Sequence, residues 1–189
     1  MKNYSLHYSY KGIGDVLIVI FDNSKKPTRS KEKGKVVILY NKDEIIGYNI
    51  YDIKEIIKIK NEGMIFFPSE QLINVLNTIL SNEGVEPLEY KDNSGYFTAE
   101  IKSIDLDKNL VCLDLSNKQV VTAYNNLKLS VSDKVVVALP STHLSDGSTV
   151  KEPHICTNKE LGIKENEDEI LVLDKEIETG KDFFSMEVR

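Results

Sequence analysis

Gln119-Val120-Val121-Thr122-Ala123-Tyr124-Asn125-Asn126-Leu127, Asp133-Lys134-Val135-Val136-Val137-Ala138 and Ile155-Cys156-Thr157-Asn158-Lys159-Glu160-Leu161-Gly162-Ile163 decide how this chain is read. In order they give a strand, an Asn-rich turn, a buried strand, a polar loop, a further strand and a short capped helical turn. The last is marked by Thr157 and Glu160 at capping-box spacing, with Gly162 as the stop.

Upstream of this stretch, Tyr96 to Ile104 alternates apolar with polar residues, as a half-buried strand does. Asp105 to Asn109 turns the chain into Leu110 to Leu115, and Ser116 to Lys118 turns it into Gln119. Three meandering strands, a buried fourth at Val135 to Ala138 and β structure beyond describe a small closed sheet. A five-stranded OB barrel has that count, and other small barrels share it. Downstream, Lys164 to Glu169 is an acidic loop and Ile170 to Leu173 a last strand, while Phe183-Phe184 is an exposed pair placed to dock onto the core or a partner.

The first half has a different pattern. Val16 to Phe21, entered through Gly12-Ile13-Gly14, predicts a central strand buried on both faces. Lys25 to Lys35 follows with five Lys and Arg29 against Glu32, read as a solvated loop, with a phosphate-binding basic patch as the sharper alternative. Val36 to Tyr40 and Ile45 to Tyr51 predict strands joined by an Asn41–Glu44 hairpin turn, and Ile56 to Ile59 and Met64 to Phe67 predict shorter ones. Leu72, Val75, Leu76, Ile79 and Leu80 form the stripe of an amphipathic helix, with Ser69 as N-cap and Gly84 past its end. The turn-rich segment from Pro87 to Gly95 divides the chain. The expected fold is an α+β domain over 1–92 followed by an all-β OB-fold barrel over 93–189.

Composition is that of a globular protein, with 41% apolar and 29% charged residues. No apolar leader follows Met1, and the run from Val16 to Phe21 is too short to cross a bilayer, so a cytoplasmic protein is expected. Cys112 and Cys156 are then reduced core thiols. The net charge of −6 arises entirely after residue 92, where 11 basic residues face 17 acidic ones; residues 1–92 hold 13 of each. That balance opposes tight, nonspecific nucleic-acid binding, which needs clustered cations.

With these residues in view, the chain resembles the YtpR-type tRNA-binding proteins, and its second half is similar to the EMAP-like tRNA-binding module, an OB fold. Gln119-Val120-Val121, Asn126, Lys134-Val135-Val136-Val137-Ala138 and Ile155-Cys156-Thr157 with Glu160-Leu161-Gly162 stand at the module's motif positions. Gly12 to Val19 and Ile46 to Ile50 look like the accessory domain of that subgroup. The chain departs from the pattern at Thr122-Ala123-Tyr124-Asn125, where the family has Cys-Gly-Ala-Pro. Pro153-His154 stands in place of its Gly-Met, and the His-Pro before Asp105 is missing. The scaffold positions match better than the surface ones.

The resemblance implies noncatalytic binding of tRNA without a cofactor, at Tyr124, Asn126, Lys128, Lys151, His154, Thr157 and Lys159. Tyr124 would stack on an unpaired base and Asn126 would reach a phosphate or a base edge. The ordinary alternatives are a rim tyrosine, an Asn in its own turn, solvated lysines and, for Thr157, a helix cap. A degenerate module that has become a protein-interaction surface is the competing reading, and a homodimer stays open. His154-x-Cys156 lacks the second pair that a zinc site needs, so no metal is expected. No phosphate loop, nucleophile elbow or HExxH is present, and no enzyme activity is expected.

Overall fold

The computed structural model describes residues 3–60, 62–123, 128–164 and 168–186, and these divide between two compact units, Met1–Asp92 and Asn93–Arg189. The chain is mostly β-sheet with few helices. No helix among the described residues is long and apolar enough to cross a membrane.

The first unit starts with β1 (Ser5–Tyr8), the single turn α1 (Tyr10–Ile13) and β2 (Val16–Ile20). It continues through β3 (Arg29–Lys33), β4 (Val36–Asn41), β5 (Glu44–Tyr51) and β6 (Gly63–Ile65) to α2 (Glu70–Asn82). The strands form one six-stranded sheet, β3-β4-β5-β2-β1-β6, with every pair antiparallel. One face is apolar: Leu6, Leu17, Val19, Val36, Tyr48 and Ile50 join Leu72, Ile73, Leu76 and Leu80 of α2 in a single core. Gly47 in β5 allows this pairing, because a Cβ there would strike the Val19 carbonyl.

The helix begins and ends as expected. Leu72 N–H donates to Ser69 Oγ at 3.2 Å, and Gly84 takes the left-handed φ of 62°. Ile73 is buried deeper than Val75 or Ile79, so the apolar face is rotated slightly toward it.

Three expectations for this unit change. In β2 only Leu17 and Val19 are fully buried and their neighbours are intermediate, so the strand covers one face rather than two. The basic segment is not a loop throughout, since Arg29–Lys33 is an edge strand paired with β4. Ile56 to Ile59 is not a strand; it follows a 3-10 turn at Ile53–Glu55 and runs irregularly.

The second unit comprises β7 (Tyr96–Asp105), β8 (Leu110–Asp114), β9 (Gln119–Ala123), β10 (Lys134–Ala138), β11 (His154–Ile155) and β12 (Val172–Leu173). They pair in the order β11-β10-β7-β8-β9, with β12 also on β10. The register between β7 and β8 shifts between Ile101 and Ser103, an irregularity of the kind that bends a sheet. The sheet curls around Ala99, Ile101, Val111, Leu113, Val135, Val137 and Ile155. Val135 to Ala138 are fully buried, as their unbroken apolar run predicts.

β8 pairs only with Glu100–Asp105, leaving the start of β7 with an open edge. The C-terminal segment fills it: Thr98 N–H donates to the Lys181 carbonyl at 2.9 Å, and Gly180 N–H donates to the Thr98 carbonyl at 2.8 Å. Phe183 and Phe184 are therefore not an exposed pair. Phe183 is buried and Phe184 meets the Tyr96 ring edge-on at 5.1 Å.

Candidate functional site

The curl of the second sheet brings its two terminal strands together. At the end of β9 the Thr122 hydroxyl donates to the Pro153 carbonyl, just before β11. Beside this link opens a cleft of about 470 Å³. Leu144, Val150, Ile155 and Ile170 supply its apolar lining, and Thr122, Lys151, Glu152, His154 and Thr157 supply its polar groups. Thr157 bridges to Ile170 across the far side.

Glu160 holds this arrangement in place. Its Oε2 accepts from Thr157 N–H at 2.8 Å and from Thr157 Oγ1 at 3.1 Å, and Glu160 N–H donates back to Thr157 Oγ1 at 3.3 Å. This is a full capping box, closing a turn rather than a regular helix. The other oxygen, Oε1, lies 2.9 Å from His154 Nε2. That hydrogen bond raises the His154 pKa above its ordinary value against the opposing effect of burial. For Glu160, burial pushes the carboxyl up, and the bonds from His154 and Thr157 outweigh it, leaving the group below its ordinary value. Between Ile155 and Thr157 in sequence, Cys156 is fully buried, and burial drives its thiol far up, so it stays protonated.

Of the seven residues expected at a binding site, Lys151, His154 and Thr157 line this cleft. Lys151 is exposed and makes no ion pair among the described residues. Lys159 does not line it; its Nζ sits 3.4 Å from Asp168 Oδ1, and its carbonyl accepts from Ser145 Oγ. Lys128 is exposed and also off the lining. Tyr124 and Asn126 lie outside the described residues, although Ala123, just before them, belongs to the cleft.

Glu160 as the partner of His154, and Thr122 as the link to Pro153, were not expected from the sequence. The Thr157–Glu160 spacing was the available signal, because a capping box beside a strand end also faces that strand's last side chains. An apolar trough bearing a lysine, an imidazole and a hydroxyl suits a planar apolar group with an anionic edge. Glu152 on the same lining opposes anions.

Three of the six cations in the basic segment of the first unit are paired with acids. Lys25 pairs with Asp22 at 3.1 Å and Glu44 at 2.7 Å, and Lys35 with Glu55 at 3.1 Å. Arg29 reaches Asp43 at 3.7 Å and stacks over Tyr40. Among the described residues, no three His, Cys, Asp or Glu side chains are grouped to hold a metal.

Residues 23–90 match the model of a family described as Domain of unknown function (DUF4479). The match lies within the first unit, running from before β3 to beyond α2 and leaving β1 and β2 outside. No curated protein matches this chain.

Proposed function

We propose that the second unit is an OB-fold module that binds tRNA without catalysis in the cytoplasm, and that the first unit is an α+β accessory domain. The observation that carries this reading is the cleft itself, where the end of the third strand of a curled sheet meets the loop between the fourth and fifth. In OB folds the strand 2–3 face and the loops joining strands 1–2 and 4–5 bind oligonucleotides. Lys151 lies in the corresponding 4–5 loop, and His154 and Thr157 border the same trough. The segment holding Tyr124 and Asn126 leaves from Ala123 on its lining. A base would rest on the apolar wall, with its phosphate toward Lys151.

The test is bulk tRNA binding by Lys151→Ala, with Lys26→Ala/Lys31→Ala as the comparison. Loss of one phosphate contact at Lys151 weakens binding and lowers the salt slope by about 1. Unchanged binding at Lys151, with weakening in the comparison variant, moves the site to the first unit.

Specific observations favour a second reading, a protein-interaction module that has lost RNA. Glu152 lines the cleft, Lys159 is neutralised by Asp168, and residues 93–189 carry the whole net negative charge. Recovery of a protein partner after nuclease treatment, with no retained tRNA, would select it.

A further inference from the structure

The first unit carries a cavity of about 560 Å³ that the proposed RNA site does not use. Its floor is aromatic: Phe21 meets Tyr48 edge-on with ring centroids 5.1 Å apart, and Ile45 and Leu88 extend the apolar surface. Tyr48 is only 1% exposed, so the floor is fixed by the core. Glu86 and Glu89, both exposed, stand on the rim.

The rim segment is held at several points. Asn77 of α2 clamps Leu88 in both directions: its Nδ2 donates to the Leu88 carbonyl at 2.8 Å, and Leu88 N–H donates to its Oδ1 at 2.6 Å. Tyr4 Oη donates to the Glu89 carbonyl at 2.6 Å. A cavity with a core-fixed floor and a doubly clamped wall is pre-organised, so little ordering opposes a ligand.

Charge selects the ligand. In the same unit Asp22, Asp43, Glu44, Asp52 and Glu55 have ion-pair partners, while Glu32, Glu62, Glu70 and Glu83 form none among the described residues and do not line this cavity. Neither Glu86 nor Glu89 forms an ion pair among the described residues. Lys91 is the nearby cation; its ammonium donates to Asn3 Oδ1, lies 5.2 Å from the Tyr4 ring centre and is attracted to Glu89 without forming an ion pair with it. An aromatic slot with Glu86 and Glu89 at its mouth, Glu89 offset only in part by Lys91, repels anions. A cation on an apolar stem satisfies both parts, its stem on the apolar floor and its charge at the carboxylates.

We propose that this cavity binds an alkylammonium or alkylguanidinium group, lodged on the Phe21–Tyr48 floor and neutralised by Glu86 and Glu89. The group comes either from a free polyamine or from a lysine or arginine side chain of a protein partner. The site is independent of the RNA reading and stands or falls without it.

Calorimetric titration of the full chain tests this with four probes: spermidine, N-acetyl-lysine amide, N-acetyl-arginine amide and, as the neutral isostere, N-acetyl-citrulline amide. At least one cationic probe should bind with Kd of about 1 mM or tighter. Citrulline amide should bind at least tenfold more weakly than arginine amide, and a Glu86→Gln/Glu89→Gln variant should bind the cations at least tenfold more weakly. The Phe21 and Tyr48 ring proton resonances of the unmodified chain should shift on binding, a readout that needs no variant. Tighter binding of spermidine assigns the site to polyamines, and tighter binding of the amides assigns it to a partner's side chain. Equal binding of citrulline amide, an unchanged double variant, unmoved ring resonances or no binding by any cation would each overturn the proposal.

Discussion

Glu160 serves two partners at once, and both depend on its charge. Oε2 closes the capping box with Thr157 and Oε1 meets His154. Thr157→Ala removes the hydroxyl from that box and is expected to cost about 1 kcal/mol, read as a lower denaturant midpoint. The linkage with pH follows from the two shifts. His154 has a raised pKa in the folded chain, so its contribution is complete below its ordinary value of 6.5 and is lost as pH rises through the folded value. Glu160 has a lowered one, so its contribution is present above 4.5 and is lost as pH falls through the folded value. The pair therefore stabilises most between those ordinary values. Titration of the His154 ring by NMR should give a pKa above 6.5, and Glu160→Gln should bring it down. An unshifted His154 in the unmodified chain would show that the contact does not form in solution. The side chains are partly exposed, so solvent screening keeps the stability effect small.

At the scale of elements, α2 carries the first unit's core. Leu76 is fully buried among sheet residues, and Leu76→Ala should cost about 2–5 kcal/mol by denaturant unfolding. Asp182 has a similar role in the second unit. It accepts from Phe184 N–H and Ser185 N–H at 3.1 Å each and from Ser94 Oγ at 2.9 Å. Asp182→Ala should free the C-terminal segment from β7 at a cost of about 1–3 kcal/mol, seen as faster hydrogen exchange at Thr98.

Elements whose stability comes from an apolar pattern were legible in the sequence. The stripe of α2, the alternation of β7 and the apolar run of β10 each announce themselves. β3 did not, because Arg29–Lys33 buries almost nothing and owes its conformation to backbone pairing with β4. Its exposed charges also keep that edge from pairing with another chain. Ile56 to Ile59 misled in the opposite way: its isoleucines pack as an irregular segment after the Ile53–Glu55 turn, with Ile57 and Ile59 against the core and Ile56 exposed. Phe183-Phe184 looked exposed because nothing local reveals that the start of β7 lacks a partner.

For the whole molecule, the question is whether a chain of net charge −6 holds an RNA. The candidate site was partly legible. Lys151, His154 and Thr157 gather in one cleft, whereas Lys128 and Lys159 lie off it. Lysine spacing alone cannot show this, since whether a loop cation faces a trough or an acid such as Asp168 is a tertiary property. The pairing of Lys25, Arg29 and Lys35 with acids further limits the cations left for phosphate. Binding should therefore be moderate and should rest on a few contacts. The most direct measurement is binding of the full chain to bulk tRNA across a salt series. RNA binding at the cleft requires a dissociation constant near or below about 10⁻⁵ M at low salt, with affinity weakening steadily as salt rises. Absence of binding even at the lowest salt would contradict it.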